Sequence, residues 1–235
     1  MDEVLAFLKR ENADIVLMQE VYDGHEATWE WKFRSMDVLR GELDYAHEHF
    51  APAFLERTDF GKVEQGNAIL SKFPIIESQV YFYDHPYGER EDKPEYYEIT
   101  PRNLQRVAVE VNDRKLQVFN TQGVWGKDGD DNERRLMMAQ TIVEAISPYD
   151  SVFLAGDFNV QETTKSTAMI EEHLVNVFRN DHRVTSFNMR HKTNPGYATA
   201  VVDLMFVSAS LEILEHRQHE DDVSDHFALS STVEV

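Results

Sequence analysis

SVFLAGDFN, residues 151–159, is the stretch from which the rest of the chain is best read. Val152, Phe153 and Leu154 make a short apolar run of strand character. Gly156 breaks it, and Asp157 and Asn159 follow two positions apart. Side chains alternate across an extended backbone, so Asp157 and Asn159 can share a face while Phe158 turns to the core. A carboxylate and an amide presented together suit a hard cation or a phosphoryl oxygen. The same residues also make an Asx-type turn, and the stretch alone does not separate the two readings.

The layout recurs on either side. Residues 15–18, IVLM, are a continuous apolar run that ends in Gln19 and Glu20, so a second buried strand delivers an acid at its C-terminal end. Residues 201–207, VVDLMFV, read as a strand with Asp203 inside it. A buried carboxylate is costly unless paired, and a histidine is the expected partner. A last strand, 227–235, follows Ser224, Asp225 and His226.

Between these strands, periodicity predicts helices over residues 1–12, 24–42, 133–146 and 169–178, with apolar side chains stepping at threes and fours. Residues 47–84 shorten to strands, and Asn67 there reads as a backbone-capping amide. Residues 85–100 and 123–132 read as polar loops, the second containing Trp125 as a loop anchor or a stacking ring. Residues 105–122 alternate on both sides of Asn112-Asp113 and read as a hairpin. Arg134 and Arg135 stand at the start of the 133–146 helix, where cations oppose the helix dipole. Either they belong to a solvated face or one reaches an acceptor outside the helix. Arg135 is the candidate for that reach, and so for a substrate contact. Strand runs each followed by helices predict an α+β fold of two mostly antiparallel and mixed sheets packed face to face, with helices outside. Without repeats or low-complexity linkers, one domain over residues 1–235 is the expectation.

Composition narrows the chemistry. With 43 acidic against 23 basic residues the net charge is −20, which disfavours a broad basic nucleic-acid surface. The absence of cysteine excludes disulfides, thiolate metal sites and a cysteine nucleophile, and leaves the compartment open. No stretch is apolar enough to span a membrane and no export signal is evident, so a soluble monomer is expected. The strand-end groups Glu20, Asp157, Asn159, Asp203, Asp225 and His226 are four carboxylates, an amide and an imidazole. That oxygen-rich set suits Mg²⁺ or Mn²⁺ rather than zinc. It also suits phosphoester cleavage, which needs a positioned water and positive charge at the phosphoryl oxygens.

Six blocks in order resemble the endonuclease/exonuclease/phosphatase superfamily with its DNase I-like fold: DIVLMQEV, GNAILSKFPI, LQVFNTQ, AGDFN, VDLMFVS and SDHFAL. They run from about Asp14 to Leu229. The resemblance implies a four-layer α/β/β/α sandwich and metal-assisted attack of water on a phosphodiester or phosphomonoester. It implies that Glu20 binds the metal, accompanied by Asp225. Asp157 would aim or activate the water, Asn159 would contact the phosphoryl group or orient Asp157, and Asp203 would pair with His226. Two departures stand out. The family's usual opening strand, which ends in an asparagine near the metal, would lie ahead of the helix at Met1. The expectation is therefore an N-terminally shortened chain, or an enzyme lacking one ligand. At Gln122, expected at the substrate, many members carry a histidine, and glutamine cannot transfer a proton. These departures motivate an alternative, a catalytically impaired relative that binds a phosphorylated ligand or protein. A purely structural calcium site is a further alternative, and it leaves Asp203 and His226 without a role.

Overall fold

The computed structural model describes residues 1–235. In chain order the elements are α1 (Asp2–Glu11), β1 (Ile15–Tyr22), α2 (Ser35–Glu42), β2 (His47–Thr58), β3 (Gly61–Ser71), β4 (Ile75–Phe82), β5 (Glu89–Arg90), β6 (Asn103–Val111) and β7 (Arg114–Gln122). They continue with α3 (Glu133–Ile146), β8 (Val152–Asp157), α4 (Lys165–Glu171), β9 (Val175–Asn176), β10 (Asp203–Val207), β11 (Glu212–His219) and β12 (Ala228–Glu234). Short 3₁₀ helices precede α2, β6 and β10.

Two sheets form the body, ordered β1-β3-β2-β5 and β4-β6-β7-β8-β10-β9, and β11 pairs with β12 in a separate hairpin sheet. Period-two alternation sorts each strand into layers. Leu5 of α1 and Met36 and Leu39 of α2 pack with Ala68 and Leu70 on the outer face of the first sheet. Between the sheets lie Ile69, Val107, Val109, Val118, Ala155, Met205 and Val207, with Ile15 and Leu17 beside them. The outer face of the second sheet, including Phe119, Leu154, Leu204 and Phe206, is covered by Met138, Ile142 and Ile146 of α3 and Ile170, at the end of α4. The order is helix, sheet, sheet, helix, an α+β sandwich as expected. Within the 235 residues no strand precedes α1, and β1 and β12 each keep one unpaired edge.

Polar side chains also cross the inter-sheet layer. Asn120 donates to Met18 O at 2.9 Å and Ala68 O at 3.1 Å and accepts from Gln19 at 2.6 Å. These bonds tie β7 to β1 and β3 just before all three reach the site, and keep each buried amide paired.

The hairpin at β6-β7 turns at Asn112 and Asp113, both left-handed with φ of 50° and 64°, as a two-residue primed turn requires. Two expectations are corrected. The 24–42 helix contracts to α2 behind a loop and a 3₁₀ turn, because Gly24 donates to Phe33 O at 2.9 Å and a Cβ there would lie 2.3 Å from that oxygen. Phe33 instead stacks edge-on between Tyr22 and Phe60. The 169–178 helix is shifted to α4, since Thr164 and the distant Asp131 together cap its first backbone amides. Residues 175–176 then leave as a strand against β10. Asn67, read as a backbone-capping amide, donates to the Asn103 backbone carbonyl at 3.2 Å and to Asn103 Oδ1 at 2.9 Å, across the sheet interface.

Candidate active site

Alternation decides which side chains reach the site. On β7 the inward series Leu116, Val118, Asn120 ends at Gln122, and on β8 the series Phe153, Ala155 ends at Asp157. The two ends are register partners in the parallel β7-β8 pair, and Asp157 faces Asp203 in the antiparallel β8-β10 pair. Gln122, Asp157 and Asp203 therefore form a row on the inner face of the second sheet, at its edge.

Glu20 reaches this row by a bulge. Leu17 and Gln19 point inward along β1, so simple alternation would turn Glu20 outward. The β1-β3 register slips between Met18 and Val21, and Glu20 adopts a left-handed φ of 58°. The extra residue re-aims the carboxylate. Gln122 Nε2 donates to Glu20 Oε1, which leaves Oε2 free, and Gln122 Oε1 accepts from the buried Arg102 guanidinium at 2.7 Å. Gln122, expected at the substrate, thus fixes the Glu20 carboxylate, and Arg102 fixes which way the amide faces. Nothing in the sequence alone marked Arg102.

After Asp157 the chain makes the Asx turn and faces the site at once. The Asn159 backbone N–H donates to Asp157 Oδ1 at 2.8 Å, with Asn159 left-handed at φ 54°. The Asn159 side-chain amide donates to Gly123 O at 3.0 Å, which locks this turn to the end of β7. It is the backbone of Asn159, not its amide, that orients Asp157. Gly123 has no room for a side chain, since a Cβ would lie 2.0 Å from Phe158 O. Phe158 packs edge-on against Phe206 in the α3-side core.

Asp203 Oδ2 lies 2.8 Å from His226 Nδ1, and the imidazole rests against Phe187 with ring centroids 4.4 Å apart. Burial works against the His226 charge, but Asp203, with Asp157 and Asp225 behind it, raises its pKa to about 10. Burial pushes Asp157 up to about 7, against the pull of His226 and with Asp203 adding to the rise. Asp225, expected beside the metal, pairs with Lys192 Nζ at 2.5 Å. Its pKa is lowered: burial opposes ionisation, and the Lys192 ammonium outweighs it.

Arg135 is a correction. Its side chain is 1% exposed and its guanidinium donates to the carbonyls of Val124, Asp128 and Asp130. It reaches an acceptor outside the helix, and the acceptor is the 123–132 loop, so none of it is left for a substrate. Trp125 of that loop meets Tyr97 edge-on at 5.6 Å.

An oxygen-only set with a free Glu20 oxygen fits a hard divalent cation. A second group, Asp23, His25 and Asp37, brings its ligand atoms within 4.8 Å of one another beside α2. Arg40 already holds Asp23 at 2.5 Å there.

A two-sheet sandwich whose strand ends gather acids around an Asp–His pair defines the DNase I-like class of phosphoester hydrolases. Residues 1–226 match the Endonuclease/Exonuclease/phosphatase family, and the chain belongs to it. Solved structures share the fold at low identity. An endonuclease/exonuclease/phosphatase from Beutenbergia cavernae has a TM-score of 0.76 and 18% identity over 99% of this chain, which spans 65% of that one. The Bacteroides thetaiotaomicron mannosyl-6-phosphatase has 0.68 and 19%, covering 99% of this chain and 89% of its own. D. rerio TDP2 complexed with single strand DNA product has 0.71 and 15%, covering 100% and 91%. No curated protein matches the chain. No helix is long and apolar enough to cross a membrane.

Proposed function

We propose that residues 1–235 form one catalytic domain that hydrolyses a phosphoester with the help of Mg²⁺ or Mn²⁺. The observation that carries the reading is the row Gln122–Asp157–Asp203, with Glu20 hydrogen-bonded to one end and His226 to the other. Glu20 would hold the cation, with Asp225 the second acid near it. The ion would supply positive charge at the phosphoryl oxygens.

The chain's own residues do the rest. Asp157, held by the Asn159 backbone N–H and with a pKa near 7, is poised to take a proton from the attacking water. Asp203 accepts from His226 Nδ1–H, which orients the ring and keeps it protonated, so Nε2–H is available to a phosphoryl oxygen. Gln122 does not transfer the proton of the leaving group; its role is to hold Glu20. The −20 charge makes a small phosphoester a better substrate than a long nucleic acid, which needs a basic track. Phosphatase activity and bound DNA both occur among the structural neighbours.

The test is a substrate panel of sugar phosphates, nucleotides, inositol phosphates, sphingomyelin, DNA and RNA, with Mg²⁺, Mn²⁺ or chelator. Metal-dependent turnover of a small phosphoester supports the reading. Turnover of none, by folded protein, supports the alternative of a phosphate-binding relative.

A further inference from the structure

Lys192 lies in the loop that follows Phe187, and beyond its pairing with Asp225 it has been given no part in the chemistry. Its side chain is 22% exposed and its ammonium lies 2.5 Å from Asp225 Oδ2. The same ammonium stands 5.5 Å from the Phe187 ring and 5.5 Å from the Tyr197 ring, which stack on each other at 4.5 Å. Phe187 is also the ring against which His226 packs. One aromatic ring therefore sets the positions of both cations.

The loop is built to hold that position. Asn188 N–H donates to Asp225 O at 3.0 Å, and its side chain donates to Ser224 O at 2.9 Å and Asp222 Oδ1 at 2.7 Å. The segment carrying Lys192 is thus bonded directly to the segment carrying Asp225 and His226.

Charge says what the arrangement is for. Glu20, Asp157, Asp203 and Asp225 surround the site of a chain that is already strongly negative. A phosphate dianion entering it needs fixed cations on the protein side. The buried guanidiniums nearby are committed elsewhere: Arg102 to Gln122, Arg135 to loop carbonyls, and Arg183 to Glu162 and Asp203 O. The partner of Lys192 is different in kind. Asp225 is 49% exposed, and water at its carboxylate screens the pair. Its half-exposed carboxylate keeps contact with water when the ammonium swings toward a phosphoryl oxygen.

We propose that Lys192 binds a non-bridging oxygen of the substrate's phosphoryl group and thereby favours a phosphomonoester over a diester. This rests on the phosphoesterase reading for its biological meaning. The chemistry is that a monoester is close to dianionic at neutral pH, with a second pKa near 6, whereas a diester carries one charge. A further fixed cation rewards the dianion more.

The experiment is calorimetric titration of the full chain, with saturating Mg²⁺ at pH 8, using inorganic phosphate and dimethyl phosphate as probes. Wild type should bind phosphate more tightly than dimethyl phosphate. Lys192→Met should weaken phosphate about tenfold, the size of one lost charge-assisted hydrogen bond, with a smaller loss for dimethyl phosphate. Lys192→Arg should retain phosphate to within about threefold, since it keeps the charge. Circular dichroism checks that each variant is folded. Unchanged phosphate affinity in Lys192→Met, an equal loss for both anions, or no phosphate binding by wild type would overturn the proposal. Lys192-dependent phosphate binding without turnover of any ester would leave it standing and count against the phosphoesterase reading alone.

Discussion

Asp203 Oδ2 and His226 Nδ1 lie 2.8 Å apart, joining the first residue of β10 to the residue two positions ahead of β12. The bond orients the imidazole and ties the hairpin sheet to the edge of the second sheet where the acids gather. Because the His226 pKa is raised in the fold, the pair's stabilisation is fully present below about pH 6.5, the ordinary histidine value, and is lost as pH rises through about 10. Asp203→Asn should return the His226 pKa toward the ordinary range, followed by the imidazole resonances in NMR. It should destabilise the protein at pH 6 and have little effect at pH 11.

Asp157 shares the sign of that linkage, but here the fold favours the neutral form rather than the charged one. Its carboxyl is raised by burial, so the ionised form costs stability above about pH 7, and that cost is relieved as pH falls toward the unfolded value. In chelator, Asp157→Asn should raise the melting temperature at pH 8 by a few degrees, the size of about 1 kcal/mol in a chain this long. The gain should vanish near pH 4. The same substitution should lower phosphoester turnover by about 10²–10⁴-fold, as loss of a general base does.

The Arg102–Gln122–Glu20 chain predicts an effect on the metal rather than on the fold alone. Arg102→Met frees the Gln122 amide to rotate, and Mn²⁺ affinity measured by titration calorimetry should fall about tenfold or more, as for a lost partner of a metal ligand. Gln122→Ala should do the same. Unchanged Mn²⁺ affinity in both would remove Glu20 from the metal site or Gln122 from its support.

Arg135 should behave as a structural group. Arg135→Met leaves the Val124, Asp128 and Asp130 carbonyls without their donor and should destabilise by about 2–4 kcal/mol in denaturant titration. Limited proteolysis should then cut within residues 123–132.

Much of this was legible in the sequence because its signals are local. The β6-β7 hairpin follows from alternation and Asn112-Asp113, and α3 from its apolar stripe. Asp157 and Asp203 could be assigned to strand ends because the runs before and around them are apolar. What escaped depends on partners far away in the chain. Glu20 points inward only through a bulge against β3, and α4 starts early only because Asp131 caps it from another loop. The stripe over 24–34 has helical spacing, yet its aromatics are drawn to Phe60 at the β2-β3 turn. β11 has no strong alternation and forms by pairing with β12. Arg102 and Lys192 look like any other cations until Gln122 and Asp225 are placed beside them.

If Asp157 and Glu20 act on one metal-bound phosphoester, nitrophenol release shows it most directly. Wild type should hydrolyse p-nitrophenyl phosphate and its bis ester with Mg²⁺ or Mn²⁺ and lose this in chelator, while Asp157→Asn and Glu20→Gln, folded by circular dichroism, fall to background. Equal and negligible rates in wild type and both variants with metal present, or a wild-type rate indifferent to metal, would contradict it.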